Sequence, residues 1–483
     1  MTTATARKSL TYIPDDLEFY AHQITGVREL VKMGSHINAD DMGLGKTLET
    51  LTVFAVDVEK GWADSLLFVT LATLKENVAD DISALTLFEN VMILEGNPKQ
   101  RAQQLVDFVA MPKPRILIVN YEQVTAHVTD LNALGFQSVA YDEAHNITNP
   151  RAKRTKACHK LTGDRHMILT GSPMKNNVDE LWSLLYRVAP REFPSYYQFR
   201  NRYCVFGGFK NKQIMGVKNE KELNAVLAKY MVRRLKTDVL DLPEKQIIPV
   251  RVPLHPEQQA LYDEVMDNME LPRPDEAEPE AIENALTKFL RLKQICGTTL
   301  TVGAEDYSYK LDTAMNQIKT ELVPNGYPYV IFTQFRGVLE AMERRHLAEG
   351  IDYRVLHGDV PRKDRVPTVR SWGEDNARGR FQALICMSQV AGVGLNMTAA
   401  RHAIRLDKLW VPALNEQCED RLYRIGADKT QPVQIFDYIA RKTVESRVEA
   451  ILRRKKRLFE TVVEDANYRR KLYAALVSGD DDD

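Results

Sequence analysis

Two glycines, a lysine and a threonine stand close together in residues 40–47, in a pattern that could bind phosphate. Gly43 and Gly45 allow backbone N–H groups to turn inward around an anion, and the helical pattern that follows would place a helix N-terminus behind it. Lys46 would bind the β- and γ-phosphates of a nucleotide, and the Thr47 hydroxyl would bind Mg²⁺. The segment begins with aspartate where the usual motif has its first glycine, so it could also be an ordinary turn before a helix.

An acidic pair, Asp142 and Glu143, follows a short apolar stretch at residues 138–141. Carboxylates at the carboxyl end of a parallel strand lie where open α/β sheets bind their ligands. Asp142 could hold Mg²⁺ through its water shell, and Glu143 could orient or deprotonate an attacking water. The pair could also be solvated side chains at a strand end, but a phosphate-binding pattern earlier in the chain favours a hydrolase site.

Three further polar residues are candidates for nucleotide contacts. Gln23 lies on a predicted helix before the phosphate-binding segment, where its amide could face solvent or pair with an adenine edge. Arg421 and Arg424 are three residues apart, so on a helix they would share one face. Two such guanidinium groups suit the γ-phosphate across an interdomain cleft, as an arginine finger does. They could equally form surface ion pairs with Glu419 or Asp420.

Short apolar stretches, separated by helical patterns, must position these residues. They predict strands of a buried parallel sheet at residues 66–70, 91–94, 116–119, 138–141 and 167–173, and again at 329–333, 353–356, 382–386, 402–406 and 432–436. Residues 181–240 are predicted to be mostly helical, with a linker at 241–244. The alternation predicts an α/β, doubly wound architecture that occurs twice.

Composition narrows the class of protein. With 483 residues the chain is too long for one core, so we expect two or three domains. The net charge of −1 provides no overall attraction for nucleic acid, which leaves local basic runs such as residues 453–457. Five scattered cysteines argue against structural zinc or a disulfide framework. The N-terminus lacks an apolar leader and no run is long enough to span a membrane, which predicts a soluble intracellular protein.

Taken in order, these residues resemble the two-lobed superfamily 2 helicase motors, and among them the Snf2 family of double-stranded DNA translocases. The resemblance runs from about residue 17 to residue 448. It is carried by Gln23 with Gly26 and Val27, and by residues 41–47, 120–122, 142–145 (Asp-Glu-Ala-His, a DEAH box), 169–173, 233–236, 331–335, 391–400 and 417–426. It also accounts for the missing first glycine of the phosphate loop.

The resemblance implies two RecA-like parallel-sheet lobes with helical insertions between them. We expect the ATP-binding lobe at residues 1–180, the helical insertions and linker at 181–310, the second lobe at 311–465 and an acidic tail at 466–483. The implied activity is that of a DNA-dependent ATPase, which hydrolyses ATP at the interlobe cleft and moves along double-stranded DNA. A chain with little beyond this motor is expected to be monomeric and to work in a bacterial or viral-host cytoplasm.

The resemblance also assigns roles to residues. ATP and Mg²⁺ are the implied cofactors. The implied nucleotide-binding residues are Gln23, Gly43, Gly45, Lys46, Thr47 and Gly394, the implied catalytic residues are Lys46, Asp142, Glu143, Arg421 and Arg424, and the implied metal ligands are Thr47 and Asp142. Candidate contacts with DNA are Lys75, Asn120, Tyr121, Gln334, Ser388 and Trp410. Such contacts would be mostly with phosphates and therefore weakly sequence-specific.

Two other functions are compatible with the motifs. A strand-separating DNA or RNA helicase is one, because Asp-Glu-Ala-His also occurs in those motors. The other is an ATP-gated clamp that binds nucleic acid without translocation. The presence of every hydrolytic residue argues against the clamp.

Overall fold

The computed structural model describes residues 10–207, 213–268, 279–380, 382–391, 395–424, 430–459 and 462. The chain divides into two compact units, the first built on Met1–Phe206 and Ile214–Val239 and the second on Leu240–Lys456. The helical segment expected between the lobes is thus shared between the two units. The domain boundaries given above stay predictions.

The first unit contains a seven-stranded sheet. Its strands and those of a separate two-stranded ribbon are β1 (His36–Asn38), β2 (Ser65–Thr70), β3 (Asn90–Ile93), β4 (Arg115–Asn120), β5 (Ser138–Tyr141), β6 (Arg165–Leu169), β7 (Cys204–Gly207), β8 (Gln213–Val217) and β9 (Met231–Val232). The sheet order is β3-β4-β2-β5-β6-β1-β9 and every pairing in it is parallel, whereas β7 and β8 form the ribbon.

Helices cover both faces of this sheet. They are α1 (Ala21–Met33), α2 (Lys46–Glu59), α3 (Lys75–Leu85), α4 (Pro98–Ala110), α5 (Tyr121–Ala133), α6 (Lys153–Lys160), α7 (Leu181–Val188), α8 (Tyr196–Tyr203), α9 (Glu220–Tyr230) and α10 (Lys236–Val239). Strand β2 is buried along its whole length, with Leu67 and Val69 in one apolar cluster and Leu66 and Phe68 in the other. Because successive strand side chains point to opposite faces, the apolar run predicted this two-sided burial.

The second unit contains a six-stranded parallel sheet. Its strands are β10 (Lys245–Val252), β11 (Tyr329–Thr333), β12 (Tyr353–Leu356), β13 (Ala383–Met387), β14 (His402–Arg405) and β15 (Val433–Ala440), in the order β10-β15-β14-β11-β13-β12. Its helices are α11 (Pro256–Asn268), α12 (Pro279–Gly297), α13 (Tyr309–Gln317), α14 (Arg336–Ala348), α15 (Arg362–Ala377), α16 (Ser388–Ala391), α17 (Pro412–Glu419) and α18 (Val444–Phe459). The predicted fold class, two parallel-sheet α/β lobes, is confirmed.

Every predicted strand is present, but β1, β7, β8, β9 and β10 were not predicted. Residues 181–240, expected to be mostly helical, also contain the ribbon and β9. Strand β10 begins directly after the linker predicted at 241–244; it lies at the sheet edge, pairs with β15 along its length, and is only partly buried. An edge strand with mixed polarity has no continuous apolar run to reveal it. All five cysteines are buried free thiols. Each helix in the described part of the chain is too short or too polar to cross a lipid bilayer.

Candidate functional site

The loop between β1 and α2 has the backbone of an anion-binding turn. Gly43 and Gly45 have φ angles of +80° and +88°, in the left-handed region that favours glycine. Gly45 is the N-cap of α2, a helix of 14 residues, so the positive end of the helix dipole adjoins the loop. Thr47 is the second residue of that helix. This geometry fits the phosphate chain of a nucleotide.

Two of the predicted nucleotide-binding side chains contact the loop itself. Lys46 Nζ donates hydrogen bonds to the carbonyl oxygens of Asp40, at 2.8 Å, and Asp41, at 3.1 Å. Gln23 Nε2 donates to the carbonyl oxygen of Leu44 at 3.1 Å. Gln23 is buried, and its side-chain oxygen accepts an N–H from the start of α1. Lys46 Nζ is thus bound to the main chain of the loop in this structure.

Gly45 is the position where the loop tolerates a side chain least. A Cβ atom there would lie 2.2 Å from Gln23 Nε2. We expect Gly45→Ala to displace Gln23, to weaken ATP binding by about tenfold or more, and to lower the free energy of unfolding by about 1–2 kcal/mol through left-handed strain. Calorimetric titration with ATP and thermal melting measure the two effects.

Gly61→Ala is the matched control for this change. Gly61 has a φ of +68° but no atom within 4 Å of the added Cβ, so it carries the strain without the collision. Equal loss of ATP affinity in both variants would contradict a role for the contact between Gln23 and the loop.

The acidic pair lies at the same edge of the sheet as the loop, directly after β5. The Asp142 carboxylate accepts hydrogen bonds from the Thr70 hydroxyl and from the Glu143 N–H, each at 2.9 Å. Burial and repulsion by Glu143 raise the pKa of Asp142 to about 7, against the opposing effects of Thr70 and Lys46. The charge of Lys46 therefore acts on Asp142, which links the loop electrostatically to the acidic pair.

Glu143 has a strained backbone. Its φ of +49° and ψ of 45° lie in the left-handed region, which costs a non-glycine residue about 1–3 kcal/mol and is typical of functional sites. One of its carboxylate oxygens is 3.1 Å from His145 Nδ1. The sequence predicted the carboxylate but not this conformation.

The predicted metal ligands fit Mg²⁺ in kind. This ion prefers oxygen ligands and usually retains waters, so one hydroxyl (Thr47), one carboxylate (Asp142) and substrate phosphates are an adequate set. No group of three or more His, Cys, Asp or Glu side chains among the described residues could hold a metal ion. A magnesium ion bound mainly by phosphates and water needs no such group.

The predicted arginine pair lies outside any helix. Helix α17 ends at Glu419, and Arg421 and Arg424 are in the turn that follows, so the expectation that they share a helical face is wrong. The turn forms because Leu422 and Tyr423 are buried in the core of the second unit and Met397 N–H donates to the Arg421 carbonyl at 2.9 Å. Gly394, the remaining predicted nucleotide contact, lies outside the described residues, as does the segment 425–429.

Buried ion pairs fix the end of α17 that leads into this turn. The Glu419 carboxylate is 2.7 Å from an Arg405 nitrogen and 2.9 Å from Lys245 Nζ, and Arg405 also binds Asp437 at 2.6 Å. Burial alone would raise the pKa of Glu419, but the charges of Arg405 and Lys245 outweigh burial and hold it at about 2. Glu419 is thus bound to two cations of the second unit.

This pairing predicts a pH-dependent contribution to stability. The folded pKa of Glu419 is depressed, so its stabilisation is present above about pH 4.5 and is lost as the pH falls toward 2. We expect Glu419→Gln to lower the free energy of unfolding by about 3 kcal/mol at pH 7 and by much less at pH 3. Chemical denaturation at both pH values measures this. Glu349→Gln is the control, because its ion pair with Lys319 is exposed and should contribute about 1 kcal/mol or less.

The segment after β9 is a part of the site that was not predicted to contact the phosphate loop. Arg233 pairs with Asp41 at 2.6 Å and donates to the Ala39 carbonyl at 2.7 Å. A Cβ on Gly43 would lie 3.8 Å from Lys236 Nζ, so the Lys236 ammonium is beside the loop. The arginines were predicted only as part of a segment between lobes. They lie about 190 residues from the loop along the chain, so no local sequence pattern indicates that they contact it.

Two of the predicted DNA contacts are committed to the protein interior. Lys75 is buried, with Nζ donating to the Leu94 carbonyl at 2.8 Å and pairing with Glu95 at 3.1 Å. Tyr121 is fully buried and its hydroxyl donates to the Asp142 carbonyl at 2.5 Å. The expectation that these two side chains grip DNA is therefore wrong for this conformation.

The other four predicted DNA contacts differ in accessibility. Asn120 caps α5 by accepting the Gln123 N–H, Ser388 is buried, and the Gln334 amide donates to the Asp407 carboxylate at 2.8 Å. Trp410 keeps 38% of its surface exposed, which leaves it open to a ligand.

Comparisons with known proteins agree on one family. The model of the SNF2-related domain matches residues 22–299, and that of the helicase conserved C-terminal domain matches residues 310–426. An uncharacterized ATP-dependent helicase of Mycoplasma genitalium, MG018, is 29% identical over 445 residues, which are 90% of this chain and 41% of the relative. The putative ATP-dependent helicase/translocase YwqA of Bacillus subtilis is 26% identical, covering 89% of this chain and 46% of that protein. The chain thus spans less than half the length of these relatives.

A solved structure also matches. The SWI2/SNF2 ATPase core of Sulfolobus solfataricus in complex with dsDNA is 26% identical, covers 94% of this chain and 95% of that chain, and aligns with a TM-score of 0.43.

Proposed function

Because the chain belongs to the SNF2-related domain family, we propose that it is a DNA-dependent ATPase that moves along double-stranded DNA. One observation carries the proposal: the glycine loop, Lys46 and the acidic pair lie at one edge of one parallel sheet. That is where open α/β sheets bind and react with their ligands.

The proposed chemistry assigns each side chain a step. Lys46 binds the β- and γ-phosphates, and the Thr47 hydroxyl and Asp142 would hold Mg²⁺, whose charge would offset that of the phosphates. Glu143 orients the attacking water and accepts its proton on the carboxylate. His145 Nδ1 lies 3.1 Å from that carboxylate. The bond from water to the γ-phosphorus forms as the bond to the β–γ bridging oxygen breaks, so the products are ADP and phosphate.

The second unit completes the proposed cycle. Arg421 and Arg424 neutralise the charge of the transferred phosphoryl group, which is the role of an arginine finger. Nucleotide binding then favours a closed arrangement and hydrolysis releases it, so that each turnover alternates the grip on DNA.

A local basic surface on the second unit supports the proposed DNA binding despite the net charge of −1. Helix α18 carries Arg453 and Lys456, whose side chains are 64% and 56% exposed and lie 3.4 Å from Glu449 and 3.8 Å from Glu416, so DNA phosphates would compete with these carboxylates. Its Lys455 Nζ donates to the Trp410 carbonyl at 3.1 Å, which places the exposed indole beside this helix. Phosphate contacts from such a surface would give salt-sensitive binding with little sequence preference.

The proposal is tested by the steady-state ATPase rate without nucleic acid and then with duplex DNA, single-stranded DNA and RNA in turn. Stimulation by duplex DNA alone, followed by displacement of a triplex-forming strand in an ATP-dependent manner, is the expected result. Preference for single strands or RNA would instead identify a strand-separating helicase. Binding of ATP with no turnover on any nucleic acid would identify a clamp.

A further inference from the structure

We infer that Arg234 is a positioning residue for the phosphate loop, and that Gly26 is a glycine in order to admit its guanidinium group. The inference deepens the proposed function and rests on it, because that function makes the loop the ATP-binding element. Arg234 itself is not expected to touch the nucleotide. Its effect passes through Asp40, the residue that replaces the first glycine of the usual motif.

Arg234 is bound to the beginning of the loop by main chain and side chain together. Its Nε donates to one carboxylate oxygen of Asp40 at 2.9 Å, and its backbone N–H donates to the other at 2.8 Å. The Asp41 N–H donates to the Arg234 carbonyl at 3.0 Å. These contacts hold the strand end after β9 against residues 40 and 41.

The same guanidinium reaches both helices that flank the loop. One terminal nitrogen donates to the Glu49 carboxylate of α2 at 2.6 Å, and the other donates to the His22 carbonyl of α1. Asn38 closes the network, since its amide donates to Glu49 at 2.6 Å and its oxygen accepts the Asp40 N–H at 3.2 Å. One side chain therefore sets the relative positions of the loop, α1 and α2.

Gly26 leaves room for this network. A Cβ atom built on Gly26 would lie 2.4 Å from both terminal nitrogens of Arg234 and 2.4 Å from a Glu49 oxygen. Glycine in a helix interior lowers helix stability, so its presence in α1 needs a packing reason. The reason is that the Arg234 guanidinium group occupies the space that a Cβ atom at position 26 would fill.

The chemistry of the site requires arginine rather than any cation. Asp40 and Glu49 are fully buried, and burial together with the adjacent Asp40 raises the pKa of Glu49 to about 8, so the pair needs a countercharge and several donors. A guanidinium offers five N–H groups in a rigid plane, whereas lysine offers one compact ammonium on a flexible chain. Lysine at this position would retain the charge and lose the bridge between three elements.

The first test compares Arg234→Lys with the wild-type chain. We expect the Kd for ATP and the KM for ATP to rise by about tenfold or more, as when supporting partners of a ligand site are removed. We expect kcat at saturating ATP to fall by less than about threefold, because Arg234 does not contact the reacting atoms. Arg202→Lys is the control, because that side chain is 63% exposed and belongs to the same unit.

The second test changes no charge. Gly26→Ala should displace the guanidinium and reproduce the rise in Kd and KM. Gly216→Ala is its control, because a Cβ there meets no atom within 4 Å.

A neutral triple variant separates positioning from charge compensation. Asp40→Asn, Glu49→Gln and Arg234→Gln together remove the buried charges; the first two substitutions preserve side-chain size, and the third shortens the side chain but keeps a hydrogen-bond donor. If Arg234 positions the loop, the triple variant should melt closer to the wild-type temperature than Arg234→Gln alone does. Its Kd for ATP should nevertheless stay raised. Recovery of both would show that Arg234 only compensates charge, and would overturn the inference.

Measuring ATP binding separately from ATP turnover distinguishes a failure of the proposed function from a failure of the inference about Arg234. If the chain binds ATP but nucleic acid does not stimulate turnover, the proposed function fails and the Kd values still test Arg234. If the chain turns over normally and folded Arg234→Lys and Gly26→Ala bind ATP within twofold of wild type, the inference fails alone.

Discussion

Glu143→Gln is expected to abolish DNA-stimulated ATP turnover while ATP binding is retained. Glutamine preserves the size of the side chain but cannot accept a proton from the attacking water. Loss of a general base costs about 10²–10⁴-fold in kcat. The strained backbone of Glu143, with its φ of +49°, is unchanged by this substitution, so the folded site should persist.

The measurement is single-turnover ATP hydrolysis with saturating duplex DNA, alongside calorimetric titration with ATP. Glu89→Gln is the matched control, because Glu89 is an exposed glutamate of the same unit. Full ATPase activity in the Glu143→Gln protein would refute the assignment of Glu143 as the base. Loss of ATP binding together with turnover would instead make Glu143 part of the binding site.

Strands β2 and β11 were predictable because they are long, apolar and fully buried, whereas β1, which leads into the loop and is equally buried, was not predicted because it has only three residues, two of them polar. Both strands are buried at every position and contain a continuous apolar run, at residues 66–69 and 329–332, and such runs indicate parallel strands directly. The loop was equally predictable, since Gly43 and Gly45 are needed for backbone angles that few other residues adopt. In both cases a local physical requirement fixes residue type, so a single sequence reveals it.

The contacts that hold the loop were not predictable, because they join residues that are distant in the chain. Asp40 and Arg234 are 194 residues apart, and neither the acidic loop nor the basic segment indicates the other. The sequence also did not show that the side chain of Lys75 is buried. Lys75 reads as a surface lysine, but its stem is buried and its ammonium binds Glu95 and a carbonyl oxygen.

The turn that contains Arg421 shows how burial overrides spacing. A separation of three residues places two side chains on one helical face only if the helix continues. Here Glu419 is drawn into the core by Arg405 and Lys245, and α17 ends at that residue. The two cations that bind Glu419 at the end of the helix lie on strands β14 and β10, and β10 was not predicted from the sequence.

Asp142→Asn is expected to have opposite effects on activity and stability. Activity should fall by about 10²–10⁴-fold, because an amide oxygen is a much weaker ligand for Mg²⁺ than a carboxylate. Stability should rise, since burial and the adjacent Glu143 raise the pKa of Asp142 to about 7. Asparagine removes the charge that the folded site disfavours and retains an oxygen to accept the Thr70 hydroxyl.

The pH dependence follows from the direction of that shift. The folded pKa is above the ordinary value of 3.8, so between about pH 4 and pH 7 the folded chain retains a proton that the unfolded chain loses. The stability of the wild-type chain should therefore fall across this range through Asp142 and level off above it. The advantage of Asp142→Asn should grow from near zero at pH 4 to about 2 kcal/mol at pH 8, after allowance for partial solvent screening.

Chemical denaturation in EDTA without nucleotide, at pH 4, 6 and 8, measures this difference. Asp107→Asn is the control, because Asp107 is an exposed aspartate on α4. A loss of stability at pH 8 would show that the carboxylate is required for its hydrogen bonds with Thr70 and the Glu143 N–H. A gain in stability together with lost turnover would show that the Asp142 carboxylate destabilises the fold and is required for the chemistry, which is the expected pattern for a functional carboxylate with a raised pKa.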